Sequence, residues 1–110
     1  MATVYKYSQV QGTSDTGTYA TLYTTPAATS AVISSIVITN QSSSAITVRV
    51  GLDTTEGTPS ASEWLVYDAA IAGNDTVALT LGVAMDAEKY IRVSSSADTC
   101  NFSAFLTEIS

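Results

Sequence analysis

The side chains that most often carry chemistry are scarce in this 110-residue chain: there is no histidine, one cysteine, and only four basic residues. Cys100 stands in Thr99-Cys100-Asn101-Phe102, a strand-like context in which a free cysteine behaves as a small buried hydrophobe. With no second cysteine there is no intrachain disulfide, and with no histidine nothing stands ready to make its thiolate a nucleophile. The serines lack a base for the same reason, and no Ser-x-x-Lys pair occurs. Two carboxylate pairs remain, Asp53/Glu56 and Asp86/Glu88. Paired carboxylates can split glycosidic bonds when an apolar pocket raises one pKa, but both pairs lie among small polar residues. Asp53-Thr54-Thr55-Glu56-Gly57 holds oxygen ligands of the kind calcium takes without a recognised calcium-loop pattern, so solvated loop acids are expected there. The expectation is a protein that is not an enzyme and needs no cofactor or metal.

The elements that hold these residues are strands. Serine and threonine make up 32 of the 110 residues, and only 13% are charged, against a norm of about 25%. Threonine suits a pleated surface, because its branched Cβ fits there while its hydroxyl faces water. Eight segments alternate in the strand period: Thr3 to Val10, Thr18 to Thr24, Ala31 to Thr39, Ala45 to Leu52, Glu63 to Ala70, Val77 to Leu81, Glu88 to Ser94 and Thr99 to Ile109. Gln11 to Gly17 and Asp53 to Ser62 read as loops, and Gly82 to Lys89 is the one stretch with room for a helical turn. The third and fourth strands, joined by Asn40-Gln41-Ser42-Ser43-Ser44, read as the clearest hairpin. The Ser-Ser-Ser-Ala turn occurs at Ser42 and again at Ser94, as duplicated hairpins would leave it. These features predict a single all-β domain over 1–110, a two-layer antiparallel β-sandwich with jelly-roll and immunoglobulin-like topologies both open. Residues 1–17 read as an N-terminal arm or edge strand followed by a loop.

A net charge of −6 opposes nucleic-acid binding, which needs clustered Lys and Arg; Lys6, Arg49, Lys89 and Arg92 are scattered. No apolar run approaches the roughly 18 residues of a membrane helix, and Met1 to Tyr7 carries no signal-peptide pattern, so a protein made without export and without a membrane partner is expected. All three asparagines stand in Asn-x-Ser/Thr triplets (at 40, 74 and 101), which matter only in a secreted glycoprotein.

The tyrosines carry the functional signal. Tyr5, Tyr7, Tyr19 and Tyr23 crowd the first quarter of the chain in alternating strands. Tyrosine is favoured at interfaces because its ring buries area while its hydroxyl stays bonded. These four are the candidate interface residues, with residues 3 to 10 as a strand that pairs with a neighbour by β-augmentation. The competing reading makes the same rings caps on the edges of the core. Trp64, Tyr67 and Tyr90 supply the stacking platforms of a second, carbohydrate-binding reading.

Leu22-Tyr23-Thr24-Thr25-Pro26, followed by the segment Ile36 to Ser44, the later segments Gly73 to Gly82 and Ile91 to Ser96, and Asn101-Phe102-Ser103-Ala104-Phe105, resembles small virion proteins of tailed bacteriophages. The resemblance runs from about Tyr19 to Ile109 and rests on turn-and-strand chemistry. It implies a virion structural role: capsid decoration (cement) on the head, or a tail, baseplate or fibre component. It carries over no active-site residues. The partners it implies are the major capsid protein or tail proteins, with a homo-oligomer, a trimer foremost, assembled in the host bacterial cytoplasm and located on the virion.

Overall fold

Branched and small polar residues alternate along the chain, and each run of alternation forms a strand. The computed structural model describes residues 2–12 and 19–110, apart from the Leu81 side chain. Among them are eight strands and no helix: β1 (Thr3–Gln11), β2 (Ala20–Thr24), β3 (Ser30–Asn40), β4 (Ile46–Asp53), β5 (Trp64–Ile71), β6 (Thr76–Met85), β7 (Tyr90–Ser95) and β8 (Cys100–Ile109). They form two four-stranded antiparallel sheets, ordered β1-β8-β3-β6 and β2-β7-β4-β5. Successive strands therefore alternate between the sheets, save for β4 and β5, which are neighbours in one sheet. That order is the double Greek key of a jelly roll. Residues 13–17 of the expected first loop, and Thr18, the expected start of the second strand, lie outside the described residues.

The expected hairpin of the third and fourth strands is not formed, because β3 and β4 belong to different sheets. Asn40-Gln41-Ser42-Ser43-Ser44 is an arch over the end of the sandwich. Asn40, 1% exposed, holds it: its Nδ2 donates to the carbonyls of Ser44 (2.9 Å), Ile71 (3.3 Å) and Ala72 (3.0 Å), and its Oδ1 accepts from Ser42 N–H (2.9 Å). The second Ser-Ser-Ser-Ala turn also passes between sheets, from β7 to β8, so neither copy closes a hairpin. The expected helical turn is absent too, since β6 runs on to Met85.

β3 is central, as its two apolar faces suggest, but a bulge between Ile33 and Ser35 changes which residues share a face. Ile33, Ile36 and Ile38 all turn inward and are at most 1% exposed, leaving Val32 and Val37 on the outer side. An extra residue in one strand shifts the two-residue period by one, which is the geometry of a β-bulge. The core between the sheets is completed by Leu22, Val48, Val50, Ile91, Val93, Phe102 and Leu106. Cys100 is fully buried in it, and burial pushes its thiol up to about 11, so it stays protonated and inert at neutral pH.

Candidate functional site

The two outer faces of the sandwich differ in kind. Ladder register places the outward residues of β1, β8, β3 and β6 in transverse rows. Tyr5, Thr107, Val32 and Ala84 form one row, Tyr7, Phe105, Ser35 and Thr80 the next, and Gln9, Ser103, Val37 and Ala78 a third. None of these positions is charged. The two charged residues on these strands, Lys6 and Glu108, point between the sheets instead. Lys6 Nζ lies 3.2 Å from Glu108 Oε1, and Tyr23 of the opposite sheet donates to Glu108 Oε2 at 2.5 Å. The phenol bond, more than the lysine, holds the Glu108 carboxyl below the usual carboxylate range, while burial followed by that same bond raises the Tyr23 phenol.

On this uncharged face Tyr5 is 84% exposed, Tyr7 71% and Phe105 43%. Among the described residues β1 is an edge strand: one side of its backbone pairs with β8 and no described strand lies on the other. Its inward contacts include Lys6 to Glu108, the Ser8 hydroxyl to the Leu22 carbonyl at 2.5 Å, and Val10 against the core. The four candidate tyrosines are thus divided. Tyr5 and Tyr7 stand together on the open face, whereas Tyr23 is 8% exposed and belongs to the core.

Tyr19 joins a cluster on the other sheet. Its ring lies 5.5 Å from that of Trp64, which meets Tyr67 edge to face at 5.2 Å. Arg49 of β4 reaches into this group, with its Cζ 4.2 Å from the Tyr67 ring centre. It is fixed by a fork to Asp68, Nε to Oδ1 at 2.6 Å and Nη2 to Oδ2 at 3.1 Å, and by Nη1 to the Tyr19 hydroxyl at 3.1 Å. The fork dominates both shifts, holding the Asp68 carboxyl low and the guanidinium high. Asp68 has φ of 53° and lies where the β4–β5 register shifts between Val48 and Val50, so a bulge aims its carboxylate at Arg49. Sequence reasoning paired Trp64 with Tyr67 but missed Arg49 and Asp68, whose only signal was their placement on neighbouring strands. Tyr90 lies apart, opposite Asp53 and Thr24 at the end of its sheet.

The loop 54–63 does not project. Arg92 Nε donates to the Gly57 carbonyl at 3.0 Å, and Pro59 packs over Gly51, where an added Cβ would come within 2.7 Å of it. Asp53 is buried rather than solvated: its carboxylate accepts the N–H groups of Thr55 (3.2 Å) and Gly57 (3.3 Å) and closes its own loop. Glu56 accepts from the Thr21 hydroxyl at 2.7 Å. Among the described residues no three acids or cysteines converge to hold a metal ion.

No protein-family model matches the chain, and no curated protein matches it. Solved structures do. A chain of the T13 particle of infectious bursal disease virus (IBDV) superposes with a TM-score of 0.58 and 11% identity, over 96% of this chain and 30% of that one. A chain of the Gx strain of the same virus gives 0.52 and 9%, over 97% and 36%. This chain thus spans about a third of the length of each neighbour. At such identity the likeness is one of fold: the jelly roll here is one that is also built into a viral particle. Both neighbours come from infectious bursal disease virus rather than from a tailed bacteriophage.

Proposed function

We propose that this chain is a virion structural protein that attaches to other virion proteins through the outer face of the β1-β8-β3-β6 sheet and the free edge of β1. The uncharged face carries this reading. In a chain of net charge −6, a four-stranded surface with no charge and with exposed Tyr5, Tyr7 and Phe105 is poorly suited to water and well suited to another protein. Such a face desolvates without stranding an ion. The fold shared with chains of a viral particle supports the same conclusion.

The finer reading is capsid decoration. A small inert sandwich that grips a shell with one face, as a trimer or other symmetric oligomer, strengthens it through many modest contacts acting together. Acidity directed away from a nucleic-acid interior suits the outside of a head. The phage-like cadence of the sequence supports a tailed bacteriophage and assembly in the bacterial cytoplasm. Head decoration is favoured over a tail or baseplate role because the long loop is tied down on its own sheet.

Co-sedimentation with purified particles tests this. Phe105→Lys places a charge in the middle of the face at a half-exposed position, where the fold tolerates it. The expected result is a folded protein of unchanged melting temperature and unchanged oligomeric state whose particle affinity falls by roughly a hundredfold. Undiminished co-sedimentation of this variant would remove the face from the interface.

A further inference from the structure

The cluster on the second sheet is not needed for that attachment, and its composition suits a different task. Trp64, Tyr67 and Ala61 line a depression of about 310 Å³, at the small end of the roughly 300–1,000 Å³ of ligand clefts. Its lining is aromatic and apolar, it opens widely to solvent, and the polar groups stand next to it. Tyr67 is 57% exposed, and the Arg49–Asp68 fork packed against its ring leaves the Asp68 carboxylate, 42% exposed, beside the depression as a fixed acceptor. The geometry points to a binding site for a neutral pyranose ring, stacked on the Trp64–Tyr67 pair with its hydroxyls donating to the Asp68 carboxylate.

Three observations select this ligand class. The rings meet edge to face and leave one pit, whereas a proline-rich peptide docks along a row of parallel ridges. Asp68, next to Tyr67 in the chain, already neutralises Arg49, and the chain carries −6 overall, so an anionic sugar is repelled rather than recognised there. Asp68 also keeps a left-handed backbone conformation, disfavoured for a non-glycine residue, at the bulge that aims its carboxylate at the fork beside the pit. A plain ion pair between neighbouring strands forms without that distortion.

Trp64 is the only tryptophan, so tryptophan emission excited beyond the tyrosine absorption band reports on this site alone. The full chain is titrated with methyl glucosides, galactosides and mannosides, with N-acetylglucosamine, and with sialyllactose as the anionic arm. Saturation-transfer NMR on the same samples reads contact between sugar C–H groups and the rings. The expected result is saturable, millimolar binding of at least one neutral pyranoside, weakened roughly tenfold or more by Tyr67→Ala or Asp68→Asn and unchanged by Phe105→Lys. Because the NMR arm uses the unaltered protein, it stands even if Tyr67→Ala loosens β5. Absence of both signals with every neutral sugar, a response to sialyllactose alone, or neutral-sugar binding that persists undiminished in a folded Tyr67→Ala would overturn the assignment.

Discussion

Glu108 shows how one buried charge ties three strands together. It accepts from Tyr23 across the sandwich and pairs with Lys6 on the edge strand, so the two layers and β1 are joined at one carboxylate. Tyr23→Phe leaves that carboxylate short of its shortest partner and is expected to lower stability by about 2 kcal/mol in urea unfolding. The pH dependence follows from the directions of the two shifts. The folded Glu108 carboxyl binds its proton less readily than the ordinary carboxylate at 4.5, so its contribution is complete above that value and is lost as pH falls through the depressed folded value. The folded Tyr23 phenol keeps its proton beyond the ordinary 10.0, so its contribution is complete below pH 10 and is lost as pH rises through the raised folded value. Urea midpoints are expected to fall on both sides of a neutral plateau. Glu108→Gln is expected to flatten the acid limb, and an acid limb of wild-type steepness in that variant would assign it to other groups.

At the scale of elements, the strands were legible in the sequence and their partners were not. All eight segments appear within a few residues of where alternation puts them, because a half-buried strand must alternate whatever it pairs with. Partner choice left a fainter mark. Asn40-Gln41-Ser42-Ser43-Ser44 has turn chemistry that serves a hairpin or an arch equally, and it lacks the Asn-Gly or Asp-Gly of a tight two-residue hairpin. What makes it an arch is remote in sequence: the Ile71 and Ala72 carbonyls that Asn40 serves, and the close approach of Gly73 to Ser43. Asn40→Ala is expected to cost about 3 kcal/mol, since it abandons several buried backbone groups at once. Gly73→Ala would drive a Cβ into the Ser43 carbonyl, and a clear drop in melting temperature is expected. If either variant melts like the wild type, the arch is not what sets the crossing.

At the scale of the molecule, charge is partitioned. The described charged side chains lie in turns, between the sheets or on the β2-β7-β4-β5 side, and the opposite face of the 45 × 25 × 18 Å slab carries none. Composition announced low charge and many tyrosines, but it could not say which rings were free. Tyr5 and Tyr23 look alike in alternating strands. The register shift in β2 between Thr21 and Tyr23 lets Tyr23 as well as Leu22 turn inward, onto Glu108, while Tyr5 stands on the outer side of β1. The candidate surface was thus half legible: its tyrosines on the first strand were named, whereas Phe105, Val32 and Val37 gained their place from strand order and the β3 bulge.

Hydroxyl-radical footprinting compares the free chain with the chain on intact particles, and the aromatic rings that distinguish the two faces are the groups it labels. Tyr5, Tyr7 and Phe105 are expected to lose reactivity on the particle while Trp64 and Tyr67 keep theirs. Rings on β1 and β8 that label as fast on the particle as in free solution, or protection confined to Trp64 and Tyr67, would show that the uncharged sheet is not the surface by which this protein is held.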